Sequence, residues 1–171
     1  MQKIHHSKYK VYCDSSSVKG GIGTTAVLYK NDRILKVRKV HMGTADVHTI
    51  CKGESARVLL ALSLLNNLLC QLTTTVLIGL DSQAIIHGLN NQNTKPSHYL
   101  LDHIHAAVEK LHEKQDKLQN QIEFHNAHLA GNQLTVRTWG VVSLKFQWIL
   151  GHVDFTPNEK ADVEAKKATR G

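Results

Sequence analysis

The feature that most constrains the fold is a change of hydrophobic period near residue 52. Between Lys52 and Leu69, leucine and valine residues recur at three- and four-residue spacing, which predicts an amphipathic helix. The segment from Thr74 to Leu80 then reads as a strand buried on both faces, because its apolar run is bounded by polar residues. A helix that leads into such a strand indicates a crossover between parallel strands, and therefore a sheet that helices cover.

Three β-rich segments precede this helix. A short extended run stops at Asp14, and the serines and glycines that follow it predict a turn. The Asn31-Asp32 dipeptide between the next two runs is a hairpin-turn signal, so the three segments are expected to form an antiparallel meander. Their predicted bounds are Val11 to Cys13, Ile22 to Tyr29, and Arg33 to His41.

The part of the chain beyond Asp81-Ser82 is predicted to be mostly helical. A short helix to about Leu89 is followed by a long one that opens at Ser97 or His98 and runs to about Gln121. The far end of the long helix, 113–120, is polar all round, so we expect it to protrude or fray. Residues 134–139 are a candidate extra strand, 144–150 a final strand, and the closing helix begins at Thr156 or Pro157.

These elements predict one domain over residues 1–171, of the α/β class with mixed α+β character. We expect a five-stranded mixed sheet flanked by helices. An atypical insertion is expected at about 112–143.

Composition narrows the function classes without choosing among them. The net charge is +7 with a pI near 9.4, which suits either a polyanion partner or a solvated basic surface. No apolar run approaches the roughly 20 residues of a membrane span, so we expect no membrane partner and an intracellular protein, cytoplasmic or nuclear. The three cysteines are odd in number and widely spaced, which favours reduced and mostly buried thiols.

Four acidic residues stand at the ends of predicted elements. Asp14 and Asp81 each close a strand, and strand ends are where ligand sites collect in sheets with helical crossovers. Glu54 lies in the predicted first turn of the crossover helix, and Asp162 lies near the start of the last helix. Several carboxylates in one place repel each other unless a cation is present, and their oxygens suit magnesium or manganese.

Each acidic residue also has an ordinary explanation. Asp14 fits a turn, Glu54 a helix-dipole partner and Asp81 a helix N-cap. Asp162 fits one half of a surface ion pair. Spacing alone leaves both interpretations open.

The chain resembles the ribonuclease H family from about Tyr9 to Gly171. Segments 11–16 and 78–83 are similar to the family motifs that carry its first and third carboxylates, and 49–54 to the setting of the second. The most specific match is Trp148-Ile149-Leu150-Gly151-His152 followed by Asn158-Glu159-Lys160-Ala161-Asp162 and Ala165-Lys166. The residues in these motifs look most like those of ribonuclease H domains of fungal non-LTR retrotransposons. In those elements the domain follows a reverse transcriptase in one polyprotein.

This resemblance implies an endoribonuclease that cuts the RNA strand of RNA–DNA hybrids with two Mg²⁺ or Mn²⁺ ions. The metal-binding and catalytic carboxylates would be Asp14, Glu54, Asp81 and Asp162. His152 would assist proton movement or product release, and Asn158 and Glu159 would orient the last helix. Candidate nucleic-acid contacts are Thr49, Ser82, Gln83 and Ser16, together with a predicted basic stripe of Lys110, Lys114 and Lys117 on the long helix.

The sequence departs from the family at three positions near the site. Ser15 replaces a glycine, which predicts a strained tight turn after Asp14. Ile50 and Cys51 stand where cellular enzymes carry asparagines that contact the hybrid. Two alternatives therefore stay open: a catalytically silent module that binds nucleic acid or a protein partner, and a DNA-cutting relative such as a transposase or junction resolvase.

Overall fold

The computed structural model describes residues 7–44, 50–70, 72–90, 98–130, 143–149 and 156–169. In chain order the strands are β1 (Tyr9–Val18), β2 (Gly21–Lys30), β3 (Arg33–Thr44), β4 (Val76–Leu80) and β5 (Leu144–Trp148). The helices are α1 (Ile50–Asn66), α2 (Gln83–Asn90), α3 (His98–Ala130) and α4 (Thr156–Ala168). None of the helices in these ranges is long and apolar enough to span a membrane.

The five strands form one mixed sheet in the order β3-β2-β1-β4-β5. The first three pair antiparallel, whereas β4 pairs parallel with both β1 and β5. Helix α1 is the crossover between β3 and β4, and it packs on β1 and β2. The predicted class, a mixed α/β sheet of five strands flanked by helices, is confirmed.

The predicted end of the first strand at Asp14 is wrong. Strand β1 has ten residues and continues past Asp14 to Val18, because its backbone keeps pairing with β2 as far as the partners Val18 and Gly21. The turn lies at Lys19 and Gly20, whose φ values are 52° and 81°. The second hairpin turn is where it was predicted, with φ of 50° at Asn31 and 61° at Asp32, as a type I′ turn requires.

The predicted fraying of the long helix is also wrong. Helix α3 runs to Ala130, and Gln115, in the polar stretch, is fully buried. Its side-chain oxygen accepts a hydrogen bond from the Leu72 amide at 2.8 Å. Lys114 donates to the carbonyls of Asn66 and Leu68, which lie at and just beyond the end of α1. Polar side chains thus fasten this stretch to the loop between α1 and β4.

The proposed insertion is only partly described by the structure. Residues 112–130 continue α3, and 143 leads into β5. The whole candidate strand, 134–139, lies outside the described residues, as do its surroundings over 131–142. Of the cysteines whose side chains are described, Cys13 is buried and Cys70 is exposed, and neither forms a disulfide.

The two faces of the sheet have separate cores. Helices α1 and α3 cover one face with a large cluster that includes Val11, Leu62 and Ile78. On the other face Tyr12, Val27 and Tyr29 pack with Ala161 of α4.

Helix α4 approaches the sheet unusually closely at two glycines of β2. A Cβ atom on Gly23 would stand 2.4 Å from the carbonyl oxygen of Ala165, and one on Gly21 would stand 2.4 Å from that of Thr169. Both distances are shorter than a van der Waals contact, so only glycine allows this approach. The position of α4, and of Asp162 on it, therefore depends on glycine being present at these two positions of β2.

Candidate active site

The first and third candidate carboxylates come together because β1 and β4 are parallel neighbours. Tyr12 pairs with Gly79, and Asp14 and Asp81 each lie two residues further along their strand. Asp14 lies inside β1 and is buried, whereas Asp81 follows the last residue of β4 and is half-buried. The structure brings these two residues close together, although Asp14 lies within β1 and not at its end as predicted.

Glu54 reaches the same place from α1. Because the helix begins at Ile50, Glu54 lies in its second turn and not in the first, as the sequence had suggested. We call Asp14, Glu54 and Asp81 the carboxylate cluster. A dipole role for Glu54 at the helix start is not supported by this position.

A buried arginine lies at the centre of the carboxylate cluster. Arg57 follows Glu54 by one helical turn, and its side chain is only 3% exposed. Its Nη1 is 3.7 Å from Oδ1 of Asp14 and forms a short hydrogen bond to Oδ1 of Asp81. Its Nη2 is 4.0 Å from Oε1 of Glu54. One guanidinium therefore serves three carboxylates.

The carboxylate cluster remains electrostatically crowded despite this cation. The pKa of Asp14 is raised from its ordinary 3.8 to about 6, first by burial and then by the negative charge of Asp81. The Ser15 amide, at 2.7 Å from Oδ1, and the Arg57 guanidinium act in the opposite direction. The charge of Asp162 adds a smaller increase, so this fourth carboxylate is close enough to affect the pKa of Asp14. The site therefore still attracts positive charge.

Asp162 has its own partner on α4. Its Oδ2 lies 2.5 Å from Nζ of Lys166, one turn later on the helix. The pKa of Lys166 is raised, mainly by this bond and also by the charge of Asp14. The surface ion pair considered for Asp162 is therefore present, and it stands beside the carboxylate cluster.

Neighbouring side chains hold the elements that carry these groups. The Ser15 hydroxyl donates to the carbonyl of Gly53 at 3.1 Å and lies 3.0 Å from the Thr24 hydroxyl, which ties β1 to the start of α1. Ser15 has no positive φ, so the strained turn predicted after Asp14 is wrong. The indole of Trp148 donates to the Asp81 carbonyl at 3.1 Å and so holds the end of β4 against β5.

The candidate nucleic-acid contacts are spread over several elements. Ser16 and Ser82 are half-buried, and Gln83 is exposed at the first position of α2. Lys110 and Lys117 are exposed on α3. Lys114 instead caps α1 through its two carbonyl contacts, so the structure gives its ammonium a structural role rather than the predicted one. Thr49 and His152 lie outside the described residues.

Arg57 is the site residue that motif comparison missed. It was readable as part of a Glu-x-x-Arg pair, because residues three apart lie on the same side of a helix. Ala61 and Leu64, four and seven residues after Arg57, lie on the same side of the helix and are apolar. An arginine inside a buried stripe needs a carboxylate partner, and that requirement was the available signal.

The donor set suits a divalent cation, but the present arrangement is built around the guanidinium. All four candidate ligands are carboxylates, the oxygen donors that Mg²⁺ and Mn²⁺ prefer. Within the described ranges, no group of three or more His, Cys, Asp or Glu side chains is placed to hold a metal ion as it stands. The ligands thus fit the ion chemically, and Arg57 lies among them.

Comparison with solved structures agrees with this fold. The N-terminal RNase H domain of a Mycobacterium tuberculosis protein is 16% identical with a TM-score of 0.59, over 96% of this chain and 94% of that one. LC11-RNase H1, solved in complex with an RNA/DNA hybrid, is 16% identical with a TM-score of 0.57, over 95% and 97%. RNase H1 from Halobacterium salinarum is 17% identical with a TM-score of 0.55, over 94% and 96%.

Sequence comparison then places the chain in a family. A sequence model of RNase H matches residues 6–170. The chain belongs to the RNase H family. No curated protein sequence is significantly similar to it.

Proposed function

We propose that this chain is an endoribonuclease that hydrolyses the RNA strand of RNA–DNA hybrids. The observation that carries the proposal is the convergence of the carboxylate cluster on one positive charge, where the end of β4 lies beside Asp14 of β1. Family membership and the hybrid-bound LC11-RNase H1 support the reaction and the substrate.

The carboxylate cluster and Asp162 would hold the divalent ions, Mg²⁺ or Mn²⁺, two per site. Bound there, such ions supply an activated water and stabilise the leaving oxygen in phosphodiester hydrolysis. The protein contributes the ligands and their placement. The Ser15–Gly53 bond fixes α1 against β1, and the Trp148 indole fixes the backbone of Asp81.

Substrate contacts are proposed for residues around this end of the sheet. Ser82 follows Asp81 directly and Gln83 begins α2, so both would meet the sugar-phosphate backbone or the minor groove. Recognition of 2′-hydroxyls in the minor groove would separate a hybrid from DNA. Ser16, Thr49, Lys110 and Lys117 are proposed as further contacts, and His152 as the group that assists proton movement or product release.

The test is cleavage of a labelled RNA–DNA hybrid in Mg²⁺ and then in Mn²⁺, beside RNA-duplex and DNA-duplex controls. Asp81→Asn is the blank, because it removes a ligand charge with little change of shape. We expect cutting of the hybrid alone, and only by the unmodified protein. Cutting of the DNA duplex would favour the DNA-cutting relative, and hybrid cleavage that survives Asp81→Asn would contradict the proposed site.

A second function is favoured by Arg57. A guanidinium that contacts every member of the carboxylate cluster also suits a catalytically silent module that binds nucleic acid or a protein partner. Binding of the hybrid without cutting in either metal would support it. Under both functions we propose an intracellular domain of retrotransposon type, with a reverse transcriptase of the same polyprotein as its partner.

A further inference from the structure

Arg57 is the most deeply buried charged side chain at the site. Its side chain is 3% exposed, less than the 11%, 23% and 30% of Asp14, Glu54 and Asp81. An arginine keeps its proton under all ordinary conditions, so its charge is permanent. A buried permanent charge is tolerable only beside carboxylates, and the carboxylate cluster supplies them.

Among the described residues, the partners of the guanidinium all lie at one edge of it. Its contacts with the carboxylate cluster all pass through Nη1 and Nη2. Its Nε is buried and has no hydrogen-bond partner within the part of the chain that the structure describes. The head group is therefore fixed by the carboxylates themselves, and it would lose its anchors if they turned to another cation.

A divalent ion would be held by the same carboxylate groups. Oδ1 of Asp14 and Oδ1 of Asp81 both face Nη1 of Arg57. A second positive charge a few ångströms from the guanidinium would be repelled with little screening, because this part of the site is buried.

We propose that Arg57 is an internal counter-cation that competes with divalent metal for the carboxylate cluster and thereby sets the metal affinity of the site. This inference rests on the proposed function, because it assumes that metal binds at this place. In metal-free protein Arg57 keeps the three carboxylates together. When metal binds, the Nη contacts are lost and the side chain withdraws.

The test is Mn²⁺ binding by isothermal titration calorimetry on the full chain, with Arg57→Gln beside the unmodified protein. Loss of the competing charge should tighten the first Mn²⁺ by about tenfold or more, as removal of an adjacent like charge predicts. Arg38→Gln is the matched control, because it removes the same charge from an exposed guanidinium on β3 that bonds to Ser63. An equal affinity for unmodified protein and Arg57→Gln would overturn the proposal, as would an equal gain in Arg38→Gln.

A second measurement needs no variant that might misfold. The Arg57 Nε–H is buried, so its ¹⁵N-correlated NMR signal should be visible in the unmodified protein. Titration with Mg²⁺ should shift or broaden this signal in step with saturation of the site. A signal that stays unchanged while the Asp14 and Asp81 carboxyl resonances respond would sink the idea.

Failure of this inference is distinguishable from failure of the proposed function. If Arg57→Gln binds Mn²⁺ more tightly but no form cuts the hybrid, the competition holds and the enzymatic function fails. If the unmodified protein cuts the hybrid and Arg57→Gln gains no affinity, the function holds and the competition fails. Absence of Mn²⁺ binding in both forms contradicts both.

Discussion

The two sides of the candidate site balance their negative charge in different ways. On the side built by β1, α1 and β4, three carboxylates share Arg57, which is 3% exposed. On the α4 side, Asp162 pairs with Lys166, which is 54% exposed. The first arrangement is buried and shared among elements distant in sequence, whereas the second is an ion pair within one helix.

This difference distinguishes a buried ion-pair network that stabilises the fold from an exposed ion pair that contributes little to stability. Breaking a buried pair leaves an uncompensated charge in a poorly solvated place and typically costs several kcal/mol. An exposed pair is screened by water and salt, and it contributes little. The β1, α1 and β4 side therefore depends on its cation, and the α4 side depends on how the helix packs.

The largest expected effect comes from removing the buried cation. Arg57→Ala should lower the free energy of unfolding of the metal-free protein by about 3–5 kcal/mol, because three carboxylates lose their common partner. Urea denaturation in the presence of a chelator measures this change. A loss below about 1 kcal/mol would mean that the carboxylates are solvated well enough to stand alone, and the comparison would fail.

The next effect tests whether packing positions the α4 side. Gly23→Ala would place a Cβ atom 2.4 Å from the Ala165 carbonyl and 2.6 Å from the Thr169 amide, both of them backbone atoms. Helix α4 must then move, and the free energy of unfolding should fall by about 2–3 kcal/mol. Urea denaturation measures the loss, and NMR shifts of Ala161 and Asp162 report the displacement.

Gly53→Ala is the matched control for this substitution. Its added Cβ would come no closer than 3.6 Å to Ile22, and alanine is the better helix former. We expect a change of stability within about 1 kcal/mol. Equal losses for the two variants would show that α4 does not owe its position to the glycines of β2.

The fold was largely predictable because its signals are local. The change of period near residue 52 and the apolar strand before Asp81 identified the crossover, and Asn31-Asp32 identified the turn between β2 and β3. The errors arose where a polar sequence is ordered by distant partners. The serines after Asp14 pair with β2, and Gln115 of α3 binds the loop before β4. From composition alone, the serine segment is predicted to be a loop and the polar stretch of α3 a fraying helix end.

The site was predictable in its acidic residues and not in its cation. Strand ends and motif spacing indicated Asp14 and Asp81, and their meeting follows from parallel pairing. Arg57 has its role because β1, α1 and β4 come together in space. A single sequence motif cannot show that three elements meet. Lys114 was misassigned for the same reason, because its carbonyl partners lie more than 40 residues away in sequence.

A smaller effect is expected at Glu164, the buried carboxylate of α4. Its pKa is lowered from 4.5 to about 2, chiefly by the hydrogen bond from Lys167, with further bonds from Lys39 and Lys160. Because the folded pKa lies below the unfolded one, this stabilisation is complete above about pH 4.5 and is lost as the pH falls toward 2.

Glu164→Gln should therefore cost about 1 kcal/mol near neutral pH, a modest amount because the three lysines are solvated. The difference from the unmodified protein should shrink between about pH 4.5 and 2. Denaturation curves across that range measure it. A difference that is independent of pH would assign the loss to packing rather than to charge.

The smallest effect should come from the exposed pair itself. Lys166→Gln removes the partner of Asp162 at one-turn spacing, and an exposed pair of this kind contributes little to the free energy of unfolding. The change should diminish further in high salt, because the ammonium is half exposed to screening ions. Urea denaturation at low and high ionic strength measures both. A loss larger than that of Glu164→Gln that persists in high salt would show that Asp162 belongs to the buried charge network around Arg57, and the two sides of the site would then form one electrostatic unit.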